Sequence, residues 1–172
     1  NLADQESIKP ALEENQARHA VDIKVVGCYE TSPPIIGEKV TYLGRRHQPG
    51  FHQSDFIAWL KQVATWDIVL VPDRVDVDLK FMRSTTLGGA IVCRKDPAVS
   101  GFARHAENCL LVDDDVAAWK DAIELLMTDS TLRQRLRRNA RQGAIFSWSQ
   151  QSQGKIYDQV LNRAGNDPQH TA

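Results

Sequence analysis

Two short apolar runs, Ile68-Val-Leu-Val71 and Ala90-Ile-Val-Cys93, bracket a stretch that ends in a double glycine, and few folds accept that order. Between the runs, Phe81, Met82, Thr85 and Thr86 recur at spacings of three and four, which marks one face of a helix. Gly88 and Gly89 stop that helix, because glycine takes the left-handed backbone that a helix C-terminus often needs. Runs that are apolar throughout, without polar alternation, belong to strands covered on both faces. Strand, loop, helix, glycine and strand make a βαβ unit of a parallel sheet. Ligands of such sheets lie beyond the carboxyl ends of the strands, so the loop from Pro72 to Asp78 is the first place to look for a site.

The alternation of strand and helix extends along the chain. Asp4 to His19 reads as a helix with Asp4 as its cap and Ile8, Ala11 and Leu12 on its apolar face. Pro10 is tolerable there if the first turn starts near it. Val21 to Gly27 and Val40 to Leu43 read as strands, and Arg45, Arg46 and His47 follow the second at its carboxyl end. Ser54 or Asp55 opens a helix with Phe56, Leu60 and Val63 inward. Cys109 to Val112 is the fifth strand. Asp113-Asp114-Asp115 ends it and caps a helix whose inner face carries Val116, Trp119, Ile123, Leu126 and Met127. A helix from Ser130 turns Leu132, Leu136 and Ala140 inward and Arg133, Arg135, Arg137, Arg138 and Arg141 mostly outward. Ser147-Trp-Ser-Gln150 is a capping box for a last helix. The expected fold is α/β: a Rossmann-like parallel sheet of about five strands flanked by helices, with a helix-rich C-terminus. Residues 1–164 are expected to form one domain, and residues 165–172 a flexible polar tail.

Bulk properties exclude several classes. A chain of 172 residues, 42% hydrophobic and 25% charged, has the size and composition of one soluble domain. A net charge of −1 gives no electrostatic case for nucleic acid or an anionic membrane. The arginine-rich helix is interleaved with leucines and reads as an ordinary amphipathic helix. Cys28, Cys93 and Cys109 are odd in number and far apart, which fits reduced core thiols in a cytoplasmic setting. No Cys/His spacing suits a metal, and three consecutive aspartates cannot all face one ion. His105 has no partner at a telling spacing for a catalytic base and is expected to shape the turn before the last strand. No apolar run is long enough to span a membrane. The chain starts at Asn1 and is expected to be a piece of something longer.

The residues from Asp67 to Leu161 resemble the C-terminal Rossmann-like domain of GT-B glycosyltransferases, in particular the large retaining group 1 family that uses nucleotide-sugar donors. The resemblance rests on Asp67-Ile-Val-Leu-Val-Pro72, the helix and Gly-Gly-Ala-Ile-Val92, His105-Ala-Glu-Asn-Cys-Leu-Leu-Val112, the turn Asp129-Ser-Thr-Leu-Arg133 and Phe146-Ser-Trp148. Val25-Val-Gly27 and Val40-Thr-Tyr-Leu-Gly44 fit the same domain more loosely. It implies the donor half of an enzyme that transfers a sugar, with retention, in polysaccharide or glycoconjugate synthesis. It implies a nucleotide diphosphate sugar as ligand, no required metal or other cofactor, and a separate N-terminal acceptor domain. Without that domain the chain is expected to be inactive alone, with no catalytic residue assigned within it.

Departures from the family bear on the chemistry. The family carries two glutamates eight positions apart; here those positions hold Val75 and Arg83. A carboxylate accepts two hydrogen bonds from ribose hydroxyls, whereas arginine only donates. Substrate-binding candidates are therefore Lys80, Arg83 and Arg45 for phosphate or base, with Asp73 and Asp76 in the loop. Each basic candidate stands against the plainer reading of a solvated surface side chain. The family domain also begins one strand earlier, and that strand is central. Its loss leaves a sheet that is gapped, rearranged or filled by a segment of another chain, a homodimer among the arrangements considered. A degenerate domain that scaffolds or binds a partner is the alternative function. A receiver-type domain would want an acidic pocket, for which Asp73 alone is thin.

Overall fold

A computed structural model of the protein describes residues 2–27, 40–44, 58–62 and 65–147. In chain order these form α1 (Leu2–Arg18), β1 (Ile23–Gly27), β2 (Val40–Gly44), β3 (Ile68–Val71), α2 (Val77–Leu87), β4 (Ala90–Arg94), a 3-10 turn (Pro97–Val99), β5 (Leu110–Val112), α3 (Val116–Thr128) and α4 (Ser130–Ser147). Residues 58–62 are helical. The last helix, the polar tail, Cys28 and the basic run from Arg45 to His47 lie outside the described residues.

All five expected strands are present and every pairing is parallel, but they form two sheets. β1 pairs with β2, and β3, β4 and β5 pair in that order. Among the described residues no strand joins the pair β1–β2 to the sheet β3–β4–β5.

The strands are short, and their alternate side chains split the core into two layers. Ala90 and Val92 of β4 and Leu110 and Val112 of β5 point to one face, with Val25 of β1 in the same cluster. That face is covered by Ile8, Ala11 and Leu12 of α1 and by Trp119, Ile123 and Leu126 of α3. Val71, Ile91 and Cys93 point to the other face, against Val77 and Phe81 of α2. Helix α4 supplies Leu136 to the first layer and Ala140 to the second. This two-faced cover is why β4 reads as an unbroken apolar run.

Several local expectations change. Helix α1 starts at Leu2, so Asp4 lies inside its first turn and does not cap it. Asp4 is buried and accepts a hydrogen bond from the backbone N–H of Arg74 at 3.2 Å. Pro10 sits in the middle of α1 on its exposed side, where the helix gives up one backbone bond without burying an unpaired group. Val116 is 39% exposed and does not join the inner face of α3. Asp115 caps α3 by accepting from the N–H of Ala118 at 2.9 Å, and Asp129 caps α4 by accepting from Leu132 at 2.8 Å. Gly88 ends α2 with φ +83°, as its sequence position predicts.

Candidate functional site

The carboxyl ends of β3, β4 and β5 open onto a rim of charged residues. Strand β3 ends at buried Pro72, and Asp73, Arg74, Val75 and Asp76 form the loop into α2. Asp76 adopts a left-handed backbone with φ 55°, which costs a non-glycine residue roughly 1–2 kcal/mol. Its carbonyl accepts from the N–H of Lys80 at 2.9 Å and so starts the helix, but its side chain makes no capping bond. The first N–H groups of α2 are thus not capped by Asp76, and they carry the positive end of the helix dipole.

Lys80 lies one turn into α2. Its Nζ is 2.6 Å from Asp73 Oδ1, with the side chains 32% and 18% exposed. Arg83 stands three residues further along, half-buried on the same side of the helix. The structure therefore brings Asp73, Asp76 and Lys80 to one junction with Arg83 a turn away. Arg45 lies outside the described residues.

Beside this junction runs a network that the sequence did not announce. Arg74 meets Asp114 through a close Nη2–Oδ2 ion pair and approaches Asp4 with its Nε 3.7 Å from Oδ1. Asp114 Oδ2 also accepts from Arg94 Nη1 at 2.9 Å, and Arg94 is buried at the end of β4. The Arg94 hydrogen bond, with that of Arg74 behind it, holds the Asp114 carboxyl below the usual aspartate range. Asp113 pairs with Lys95 at 2.7 Å. The three consecutive aspartates thus act separately, Asp113 and Asp114 in ion pairs and Asp115 as a helix cap. The signal for the network was an arginine closing an apolar strand, but its acidic partners come from distant parts of the chain.

The remaining candidates resolve into structure. Burial pushes the thiols of Cys93 and Cys109 up to about 12, so both stay protonated at neutral pH and neither is a nucleophile. His105 Nδ1 lies 3.0 Å from the N–H of Leu111 and ties the turn before β5, the role its sequence position suggests. A hollow of about 310 Å³ lined by Phe102, Arg104, Asn108 and Asn139 lies away from the loop after β3. Its polar side chains are engaged with one another's backbone: Asn108 accepts from Arg104 N–H and donates to the Phe102 carbonyl, and Asn139 donates to the Glu107 carbonyl.

No family model matches the chain, and no curated protein does. Solved structures do. The chain is similar to the C-terminal domain of the group 1 glycosyl transferase LpcC from Francisella tularensis, with a TM-score of 0.54 and 17% identity over 67% of this chain and 56% of that one. It is similar to Anabaena HepE, solved in complex with UDP-glucose, with a TM-score of 0.66 and 16% identity over 92% of this chain and 45% of that one. It is also similar to sucrose-phosphate synthase from Thermosynechococcus elongatus, with a TM-score of 0.62 and 15% identity over 92% of this chain and 43% of that one. The fold is that of a GT-B C-terminal domain. The chain spans 56% of the LpcC domain and less than half of the other two proteins.

Val75, in the loop between β3 and α2, is 58% exposed, and Arg83 on α2 is half-buried. The carboxylates of that loop are Asp73, ion-paired to Lys80, and exposed Asp76.

Proposed function

We propose that this chain is the nucleotide-sugar-binding half of a glycosyltransferase that acts in polysaccharide or glycoconjugate synthesis in the cytoplasm. The observation that carries the reading is the Asp73–Lys80 pair at the mouth of β3, set on a GT-B fold beside the N-terminus of α2. An ammonium and a helix N-terminus side by side suit a diphosphate, and the nearby carboxylates suit sugar or ribose hydroxyls. In this reading Lys80 and Arg83 contact phosphate, Asp73 and Asp76 accept from hydroxyls, and Arg45 is the further candidate for base or phosphate. Among the described residues no helix is long and apolar enough to cross a membrane.

The test is titration of the protein with UDP, GDP and ADP and their sugar conjugates by calorimetry or ligand-observed NMR. Saturable binding with a preference among the bases, weakened about tenfold by Lys80→Ala, is the expected result, equivalent to about 1.4 kcal/mol. One set of observations favours a second reading, a degenerate GT-B domain that binds a partner in place of a donor. Lys80 is already neutralised by Asp73, and both family carboxylates are replaced. No binding at millimolar nucleotide would move the assignment to that scaffold role.

A further inference from the structure

The hollow beside α4 lies at the other end of the sheet from the Asp73–Lys80 pair. Its wall includes Arg104, Glu107 and Asn108, in the loop that leads into the amino end of β5, whereas Lys80 stands beyond the carboxyl end of β3. Strands β3, β4 and β5 are parallel, so the two places are at opposite ends of that sheet. At about 310 Å³ the hollow is at the small end of the range for ligand pockets, about 300–1,000 Å³.

Two glycines line it, and the fold requires neither. Gly143 is inside α4, a full turn before the helix ends at Ser147. Only proline is less favourable than glycine within a helix, because glycine gives up the most backbone freedom there. A Cβ on Gly143 would find its nearest neighbour, Asn108 Nδ2, at 3.9 Å, an ordinary contact. A Cβ on Gly101 would meet nothing within 4 Å, and the backbone of Gly101 is not left-handed. Neither conformation nor packing therefore explains these two residues. Close approach of a ligand to the backbone is a use of glycine that both positions fit.

The wall is fixed before any ligand arrives. Asn108 Oδ1 accepts from the Arg104 N–H at 2.8 Å, and its Nδ2 donates to the Phe102 carbonyl at 2.8 Å. From α4, Asn139 Nδ2 donates to the Glu107 carbonyl at 2.7 Å and Arg135 Nη2 to the Ala106 carbonyl at 3.3 Å. Phe102 packs on Phe81 of α2 with ring centroids 5.4 Å apart. A ligand that enters such a site has little protein to order, which lowers the cost of binding.

The hollow offers a ligand amide groups and no net charge. Among the described residues the Gln142 amide and Asn139 Oδ1 have no partner. An amide carries donors and an acceptor side by side, which matches neighbouring hydroxyls. The charged residues of the lining, Arg104 and Glu107, answer each other, with Nη1 3.1 Å from Oε1. An anion or a cation would have to compete with that pair, whereas a neutral polyhydroxyl ligand would not. Phe102 adds an apolar patch for the C–H side of a ring.

We propose that this hollow is a carbohydrate-binding site for one neutral sugar ring, separate from the β3–α2 junction. It stands whether or not that junction binds a nucleotide.

The test is saturation-transfer NMR of the 172-residue chain with D-glucose, D-galactose, D-mannose and N-acetyl-D-glucosamine, none of which carries a phosphate. The expected result is saturable binding of at least one of these sugars in the millimolar range, unchanged by excess UDP. Gly143→Leu, which puts a side chain into the hollow, should weaken that sugar at least about tenfold while Tm holds or rises, since leucine is a better helix former than glycine. Gln142→Ala removes an amide that the fold does not use, so it should leave Tm unchanged and weaken the same sugar about threefold or more. No saturation by any of the sugars up to about 50 mM would overturn the proposal. So would an affinity that both variants leave unchanged. Displacement of the sugar by UDP would overturn it too, since the sugar would then occupy a nucleotide site.

Discussion

A methyl group placed on Gly89 would stand 2.7 Å from Val69 Cγ2 and 3.2 Å from the Trp66 carbonyl, so the entry to β4 has no room for a side chain. Gly88 next to it has open space but a φ of +83°. The two glycines therefore fail differently. Gly88→Ala is expected to cost about 1 kcal/mol from backbone conformation, and Gly88→Asn less, because asparagine tolerates the left-handed region. Gly89→Ala, which overpacks the β3–β4 contact, is expected to cost about 1–3 kcal/mol, and Asn there more still. Urea denaturation of the four variants checks the pattern; equal costs for the Gly88 pair would remove the conformational argument. Asp114 makes a pH-dependent case. Its carboxyl is held low by Arg94 and Arg74, so its contribution is present above the unfolded aspartate pKa of about 3.9 and is lost as pH falls through the lower folded value. Asp114→Asn should therefore lower Tm at neutral pH, with the gap to wild type narrowing at acid pH, below the unfolded aspartate value. A Tm difference that is the same at both pH values would mean the ion pairs contribute nothing. The substitution should cost more than an exposed pair would, because Arg94 is buried and loses its carboxylate.

At the scale of elements, what holds α4 to the sheet is partly apolar and partly arginine. Leu136 is fully buried, and Leu136→Ala is expected to cost about 2–5 kcal/mol. Arg137 Nε donates to the Gly88 carbonyl at 2.6 Å, and Arg133 Nη1 donates to the Leu126 carbonyl at 2.6 Å. These two side chains satisfy carbonyls at the C-terminal ends of α2 and α3, which their own helices leave open. Arg137→Ala should cost about 1–2 kcal/mol, and Arg137→Met, which keeps the stem but not the donor, about as much. If Met restored full stability, the bond to Gly88 would carry no weight and the packing of the stem would explain the contact. The arginine-rich helix was legible in sequence as amphipathic, since its leucines recur at helical spacing. The carbonyls its arginines reach were not, because a solvated arginine and one that caps a neighbouring helix have the same local pattern. The same limit hid Asp4: its partner, Arg74, is 70 residues away, and nothing near Asp4 distinguishes a helix cap from a buried acceptor. The strands were all legible, because apolar runs bounded by Gly, Pro and Asp need no distant partner to be recognised. That they pair as two sheets among the described residues was not legible, because no local pattern records which strands become neighbours. At the candidate site the Pro72–Asp78 loop followed from topology, and Asp73 and Lys80 proved to share it. Their ion pair did not follow, since seven residues across a loop and a helix turn have no fixed spacing.

For the whole molecule, the proposed donor-binding role predicts a division between binding and transfer. The charged rim at the carboxyl ends is open: Val75 is 58% exposed, and the Asp113 side chain is 68% exposed. Sugar transfer requires donor and acceptor held together with water excluded, since an activated sugar left in water is hydrolysed or lost. A surface this open supplies one wall of such a site. The chain also spans less than half of HepE and of sucrose-phosphate synthase, which leaves most of each of those proteins without a counterpart here. On the proposed donor-half reading, the 172-residue chain is expected to bind a nucleotide sugar without consuming it. Incubation with UDP-glucose, GDP-mannose and ADP-glucose, followed by measurement of released nucleoside diphosphate, should give the rate of a protein-free control even where titration shows saturation. Release above that control, abolished by Lys80→Ala, would mean that one wall suffices and that the proposed division is wrong.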